Sequence, residues 1–206
     1  MHPKAVNRPA RAVRNPDRTR ERILAAALHE FSARGFAGAR VDAIARRAGS
    51  NKRMLYHYFT GKAGLFRAVL RHKIAQRTHK IYSLVPEDLA ASLPLWFAQN
   101  GQDTEWLRLL TWESLQTGGR LLDERERHKQ VRLAVARVRR EQAHGTLDKN
   151  FEPALLLLAV TALSMFPHAL PHLTRLITGL PPSDPKFQRG YSALLKKMAG
   201  SFLPRK

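Results

Sequence analysis

The chain of 206 residues carries 36 Lys and Arg against 16 Asp and Glu, a formal net charge of +20, with 44% hydrophobic residues and no Cys. That hydrophobic share supports a folded core and excludes a disordered basic tail, while the length allows one large domain or two small ones. Without cysteine there is no disulfide scaffold, Cys nucleophile, iron–sulfur cluster or cysteine-type zinc site. The charge calls for an anionic partner, whether nucleic acid, a membrane surface or an acidic protein, and by itself does not decide among them.

Residues 1–15 have Pro3 and Pro9, no apolar periodicity, and the cations Lys4, Arg8, Arg11 and Arg14, so they read as a disordered basic arm. A helix is expected from Asn15-Pro16, with Asn as N-cap and Pro in the first helical position. Ile23, Leu24, Ala27, Leu28 and Phe31 share one face of it, and Gly35 ends it. A short helix over 41–48 stops at Gly49; Asn51 caps a third helix through 59, and Thr60 a fourth whose stripe is Leu65, Phe66, Val69 and Leu70. Further helices are expected at 87–99, 103–117, 124–144, 152–166, 168–178 and 184–200. Their stops are Gly101, Gly118-Gly119, Gly145, Pro167 and Gly179. In the 124–144 segment Val131, Ala134, Val135 and Val138 form a narrow apolar stripe on a charged helix. Strand signals are few. The expected fold is all-α with nine or ten helices. The longest apolar run, 154–166, is shorter than the roughly 20 residues a bilayer span needs and reads as a buried core helix. No apolar stretch follows the basic N-terminus as in a signal peptide, so the expected location is the cytoplasm and no membrane partner is expected.

The charge is unevenly placed. Residues 1–80 hold 19 Lys and Arg against 4 acids, a net of +15; residues 81–206 hold 17 against 12, a net of +5. Inside the basic part lies Val41-Asp-Ala-Ile-Ala-Arg-Arg-Ala-Gly-Ser-Asn-Lys-Arg-Met-Leu-Tyr-His-Tyr-Phe59, which reads as two helices crossing at one tight turn. Ile44 and Ala48 should meet Leu55 and Tyr58, Ala45 must be small beneath the second helix, and Gly49 takes a positive φ. This is the packing pattern of a helix-turn-helix.

Residues 18–73 resemble the DNA-binding domain of the tetracycline-repressor (TetR) family of bacterial transcriptional regulators. The matching pieces are Arg20-Glu-Arg-Ile-Leu-Ala-Ala-Ala, Phe31 to Gly35-Phe36, Val41-Asp-Ala-Ile-Ala, Ala48-Gly49, and above all Leu55-Tyr-His-Tyr-Phe-Thr-Gly-Lys62 with Leu65. Two positions depart from the pattern: Ser50 stands where Val is usual, and Arg40 where Thr or Ser often caps the second helix. The resemblance implies an N-terminal three-helix DNA-binding domain at 16–78, with the helix-turn-helix at about 40–59. A larger helical ligand-binding and dimerisation domain would follow at 79–206.

By the same resemblance the 51–58 helix enters the major groove of double-stranded operator DNA. Arg53 then suits guanine O6/N7 and Met54 a thymine methyl or sugar, while Lys52, Tyr56 and His57 suit phosphates. Lys62, in the first turn of the fourth helix, and Arg40 are further phosphate candidates. Tyr58 and Phe59 read as core, and Arg46, Arg47 and Arg67 as solvated faces. The arm is a candidate minor-groove or backbone tether. Dimerisation through the last helices points to Leu156, Val160, Leu163, Phe187, Tyr191, Leu194, Leu195 and Met198. A pocket for an apolar or aromatic effector is implied, with Trp96, Phe97, Trp106, Leu109, Leu110, Trp112 and Met165 as lining candidates.

An enzyme is not expected: there is no phosphate loop, Rossmann glycine pattern, nucleophile elbow or zincin sequence. His168 and His172 have metal-ligand spacing, but Pro171 lies between them and no carboxylate is near, so neither a metal nor another cofactor is expected. The function read here is a sequence-specific regulator, in the family's common mode a repressor released by a small molecule. The alternative is a nucleoid-type protein that coats DNA without sequence preference or ligand.

Overall fold

The computed structural model describes residues 16–84, 89–116 and 124–204. Among these residues there are ten helices and no strand. They are α1 (Pro16–Gly38), α2 (Val41–Arg47), α3 (Lys52–Tyr58), α4 (Gly61–Leu84), α5 (Leu89–Gln102), α6 (Thr104–Gln116), α7 (Glu124–Ala143), α8 (Pro153–Ala169), α9 (Pro171–Thr178) and α10 (Pro185–Gly200). The basic arm, the Asn15 cap and the Gly118-Gly119 stop lie outside the described residues.

Local chemistry sets several helix starts. Pro153, Pro171 and Pro185 each open a helix, where a missing N–H costs nothing. The Asp184 carboxylate accepts from the Lys186 and Phe187 amides, and Glu152 accepts from Leu155. Gly35 interrupts α1 with φ 67° and ψ 178°, and Gly179 closes α9 in the left-handed region at φ 74°.

Two expected stops are passed. Gly101 lies inside α5, where a Cβ would come within 2.7 Å of His168 Cε1; glycine is needed there for close approach, not for termination. Pro167 lies inside α8, which continues to Ala169. A proline leaves the carbonyl four residues earlier without its helical donor. That carbonyl is Leu163, and the Tyr191 hydroxyl of α10 donates to it at 3.0 Å. Thr174 of α9 donates in turn to the Pro167 carbonyl at 3.1 Å.

Two apolar cores result. The first joins Ile23, Leu24, Ala27 and Phe31 of α1, Ile44 of α2, Leu55 of α3, and Leu65, Phe66, Val69 and Leu70 of α4 to Trp106, Leu107 and Leu109 of α6. The second joins Leu93 and Phe97 of α5, Val138 of α7, Leu156 and Val160 of α8, and Phe187, Leu195 and Ala199 of α10. Helix α6 packs along α1, α10 along α5, and α8 against α5, α6 and α7. The Arg127 guanidinium reaches both oxygens of the buried Glu113 carboxylate at 2.8 and 2.7 Å, tying α7 to α6. No single described helix is long and apolar enough to cross a membrane; α8 and α9 reach that composition only as a pair, across an 88° bend.

The His168 imidazole stacks on Phe97 at 4.6 Å, and its Nε2 lies 3.1 Å from the Phe97 carbonyl, placing the neutral Nε2–H tautomer there. Burial pulls its pKa below the ordinary value, against the hydrogen bond's opposing pull. A histidine whose folded pKa lies below its unfolded value binds more protons when unfolded, so stability is full above about pH 6.5 and falls as pH drops through that value. Thermal melts at pH 7.5 and 5.0 should show a larger acid loss for the wild-type chain than for His168→Gln. Equal losses would show that His168 does not carry this dependence.

Candidate nucleic-acid interface and cavity

The 41–59 stretch folds as its residue pattern dictates. Ile44, Ala45, Ala48 and Leu55 are buried where α2 crosses α3, and Tyr58 packs partly against them. Gly49 takes φ 57° at the turn, and the Asn51 side chain caps α3 by accepting from the Met54 amide at 2.8 Å. Two cations hold this unit from outside: Arg22 of α1 donates to the Gly49 carbonyl at 3.1 Å, and the Arg20 guanidinium lies 5.8 Å over the Phe59 ring. No local pattern in the sequence marks Arg22, because its partner is 27 positions away.

Packing Leu55 inward leaves Lys52, Arg53, Tyr56 and His57 exposed on α3, with Met54 half-buried. The side chains of Arg46, Arg47 and Arg53 have no hydrogen-bond or ion-pair partner among the described residues. Lys52 pairs with Asp42 at 3.3 Å across an exposed contact. Arg40 stands at the N-cap position of α2 without capping it, and its amide donates to Glu30 at 3.2 Å. Lys62 donates to the Ala37 carbonyl at 3.0 Å and lies 5.1 Å over the Phe36 ring, so it also ties the start of α4 to the end of α1. Its ammonium keeps two further N–H donors.

Between the two cores lies a cavity of about 290 Å³ walled by α4, α5, α7 and α8. Its lining is Arg77, Trp96, Gln99, Asn100, Gln130, Val131, Ala134, Leu157, Thr161, Ser164 and Met165. Of the pocket candidates, Trp96 and Met165 line it. Phe97 is buried in the second core, and Trp106, Leu109 and Leu110 pack in or against the first, while Trp112 is half-buried outside the lining. The polar end was not legible in sequence. Arg77 donates to Asp103 at 3.0 Å and to Asn100 at 2.8 Å and lies 5.4 Å over the Trp106 ring. Lys73 meets the other Asp103 oxygen at 3.0 Å, and Asn100 donates to the Ser164 carbonyl at 3.1 Å. Burial pulls the Arg77 pKa down, while the Asp103 bond and charge push it up.

Residues 23–69 match the family described as "Bacterial regulatory proteins, tetR family", and residues 95–191 match "Tetracyclin repressor-like, C-terminal domain". The HTH-type transcriptional repressor SCO4008 of Streptomyces coelicolor is 32% identical over 82% of this chain and 88% of its own length. The chain belongs to the TetR family of transcriptional regulators. The family consists of DNA-binding proteins that act as dimers and are not enzymes. The repressor NicS of Pseudomonas putida is 52% identical over 27% of this chain and 26% of its own. The crystal structure of SCO4942 from Streptomyces coelicolor superposes with a TM-score of 0.73 at 27% identity, over 87% of this chain and 97% of that one.

In this TetR-family regulator the interface candidates divide by face. Leu156, Val160, Phe187 and Leu195 are buried inside the protomer, Leu163, Tyr191 and Met198 are half-buried, and Leu194 is exposed. The same helices leave a different apolar face open: Leu155, Leu158 and Phe166 on α8, and Leu194 on α10. Leu173, Leu176 and Ile177 of α9 are exposed as well. His168 and His172 fall on α8 and α9, His168 on the Phe97 carbonyl and His172 in solvent.

Proposed function

We propose that this regulator is a repressor that reads its operator with α3 and leaves it when a small, largely apolar molecule enters the cavity between the cores. The observation that carries the DNA reading is the exposed α3 face, with the Arg53 side chain unpaired in its first turn. Arg53 contacts a guanine and Met54 a thymine methyl or sugar, while Tyr56, His57 and Arg40 bind phosphates. Lys52 joins them by exchanging Asp42 for phosphate, which is inexpensive for an exposed ion pair. Lys62 contributes its free donors.

Affinity comes from two copies related by a two-fold axis, meeting through the open apolar faces of α8 and α10. Their two α3 helices would stand about 34–36 Å apart, one turn of the duplex. A ligand is transmitted through Arg77: its partner Asp103 immediately precedes α6, and α6 is seated on α1 by Trp106, Leu107 and the His29–Glu105 contact of 3.1 Å. The cytoplasm is the proposed place of action.

The test is a selection of bound sequences from random DNA, followed by gel shifts with excess random competitor. A repressor keeps its operator, whereas a DNA-coating protein, which the +20 charge also suits, is titrated away. Arg53→Ala should lose about 1–3 kcal/mol of preference at one base position per half-site. A uniform loss across all sequences would instead make Arg53 a phosphate contact.

A further inference from the structure

The cavity carries chemical information beyond its size. At about 290 Å³ it is at the small end of ligand sites, which run to roughly 300–1,000 Å³. One wall is apolar, from Val131, Ala134, Leu157 and Met165. Arg77 is the single charged residue of the lining, and no carboxylate is among them. Just behind it, Arg77 and Lys73 share the Asp103 carboxylate, each at 3.0 Å, and Glu105 lines that adjoining pocket with them, so Arg77 stands between a carboxylate-lined pocket and a cavity lined by no carboxylate. The Arg77 guanidinium, the one charge facing the cavity, attracts an anion and repels a cation.

The second observation is a donor without an acceptor. Trp96 lines the cavity, and its Nε1–H is buried with no partner, the single such side-chain atom among the described residues. Buried donors are almost always satisfied, and an unsatisfied one costs free energy until an acceptor arrives. The indole ring supplies apolar area, and its N–H supplies direction.

We propose that the effector is an organic anion: an aromatic or otherwise apolar body bearing an oxygen acceptor such as a carboxylate. The body lies against Met165, Leu157 and the Trp96 ring, and the oxygen accepts from Trp96 Nε1 in the field of Arg77. The proposal rests on the ligand-release reading above and narrows its chemistry. An anion at Arg77 competes with Asp103 and Asn100 for the guanidinium, which is the contact that fastens α4 to the junction of α5 and α6.

Calorimetric titration of the full chain with three probes that share one ring system tests this: 1-naphthoate, 1-naphthalenemethanol and 1-naphthylmethylammonium. Naphthoate should bind about tenfold or more tighter than the ammonium, with the alcohol between, because a hydrogen bond to a charged group outweighs one to a neutral group. Trp96→Phe, which keeps an aromatic ring smaller than indole and removes the N–H, should weaken naphthoate about tenfold more than it weakens the ammonium. The proposal is overturned by equal or tighter ammonium binding, by no binding of any probe, or by a naphthoate loss in Trp96→Phe no larger than the ammonium's. The three-probe order is measured on the wild-type chain, so it stands even should the variant fold poorly. Gel shifts on the selected operator separate the two readings. Release by the ammonium or alcohol alone keeps ligand release and overturns the anion. Naphthoate binding without release keeps the anion site and overturns its role as inducer.

Discussion

Leu158→Asp combined with Leu194→Asp is expected to leave the protomer folded and to cut operator affinity by about two to four orders of magnitude. The argument starts from exposure: Leu158 is 64% and Leu194 49% exposed, so neither supports a core, and surface changes of this kind cost a protomer little. On the proposed two-fold bundle, however, each copy would bury two carboxylates against apolar neighbours, at several kcal/mol apiece. A monomer then holds one half-site, and the gain of roughly 10²–10⁴ from linking two binding events is lost. Light scattering coupled to size exclusion, circular dichroism and gel shift check the three parts. A variant that stays dimeric with native operator affinity would move the interface elsewhere, with the α9 face of Leu176 and Ile177 next to be tried.

Phe31→Ala should lower global stability by about 3–5 kcal/mol, the range for deleting a fully buried aromatic ring. Phe31 is 0% exposed and meets Phe66 edge-on at 4.9 Å and Phe36 at 6.2 Å. Each favourable aromatic pair adds about 0.5–1.5 kcal/mol beyond buried area. Because the same core includes Trp106 and Leu107 of α6, the loss should appear in one transition and not as melting of the N-terminal helices alone. Denaturant titration followed by circular dichroism and by tryptophan fluorescence reads both numbers. Coincident curves displaced to lower denaturant are expected; a separate early transition in circular dichroism would mean that the two cores unfold independently.

The sequence made the helices and the helix-turn-helix readable because their determinants are local. Gly49 must turn, Asn51 must cap, and Ile44, Ala48 and Leu55 must meet, all within a dozen residues. Each of these appears in the structure. The departures have a long-range cause. Gly101 is small because His168, 67 positions on, occupies its Cβ space. Pro167 is tolerated because Tyr191 supplies the donor that the kink removes. Arg77, Asp103 and Asn100 meet only once α4 and α5 are packed, so no spacing rule could have joined them. The aromatic residues around Trp106 were legible as apolar, but whether an apolar side chain lines a cavity or fills a core depends on packing. Helical periodicity likewise marks α8 as buried without saying which stripe stays inside the protomer. Leu156 and Val160 turn inward, whereas Leu155 and Leu158, one or two positions away, face out.

The placement of Trp106, Leu107 and Leu109 in the core of α1 to α4 has a consequence for modular exchange. A recognition head cut at residue 78 and grafted onto another sensor would leave its helix α1 without a floor. Nor does a later cut help, because α5 intervenes in the chain and belongs to the other core. A workable chimera therefore needs a host whose own α6 presents the same Trp-Leu-x-Leu face. For this chain, head and body are interchangeable only with partners that keep that face, so specificity for DNA and for effector is engineered side by side.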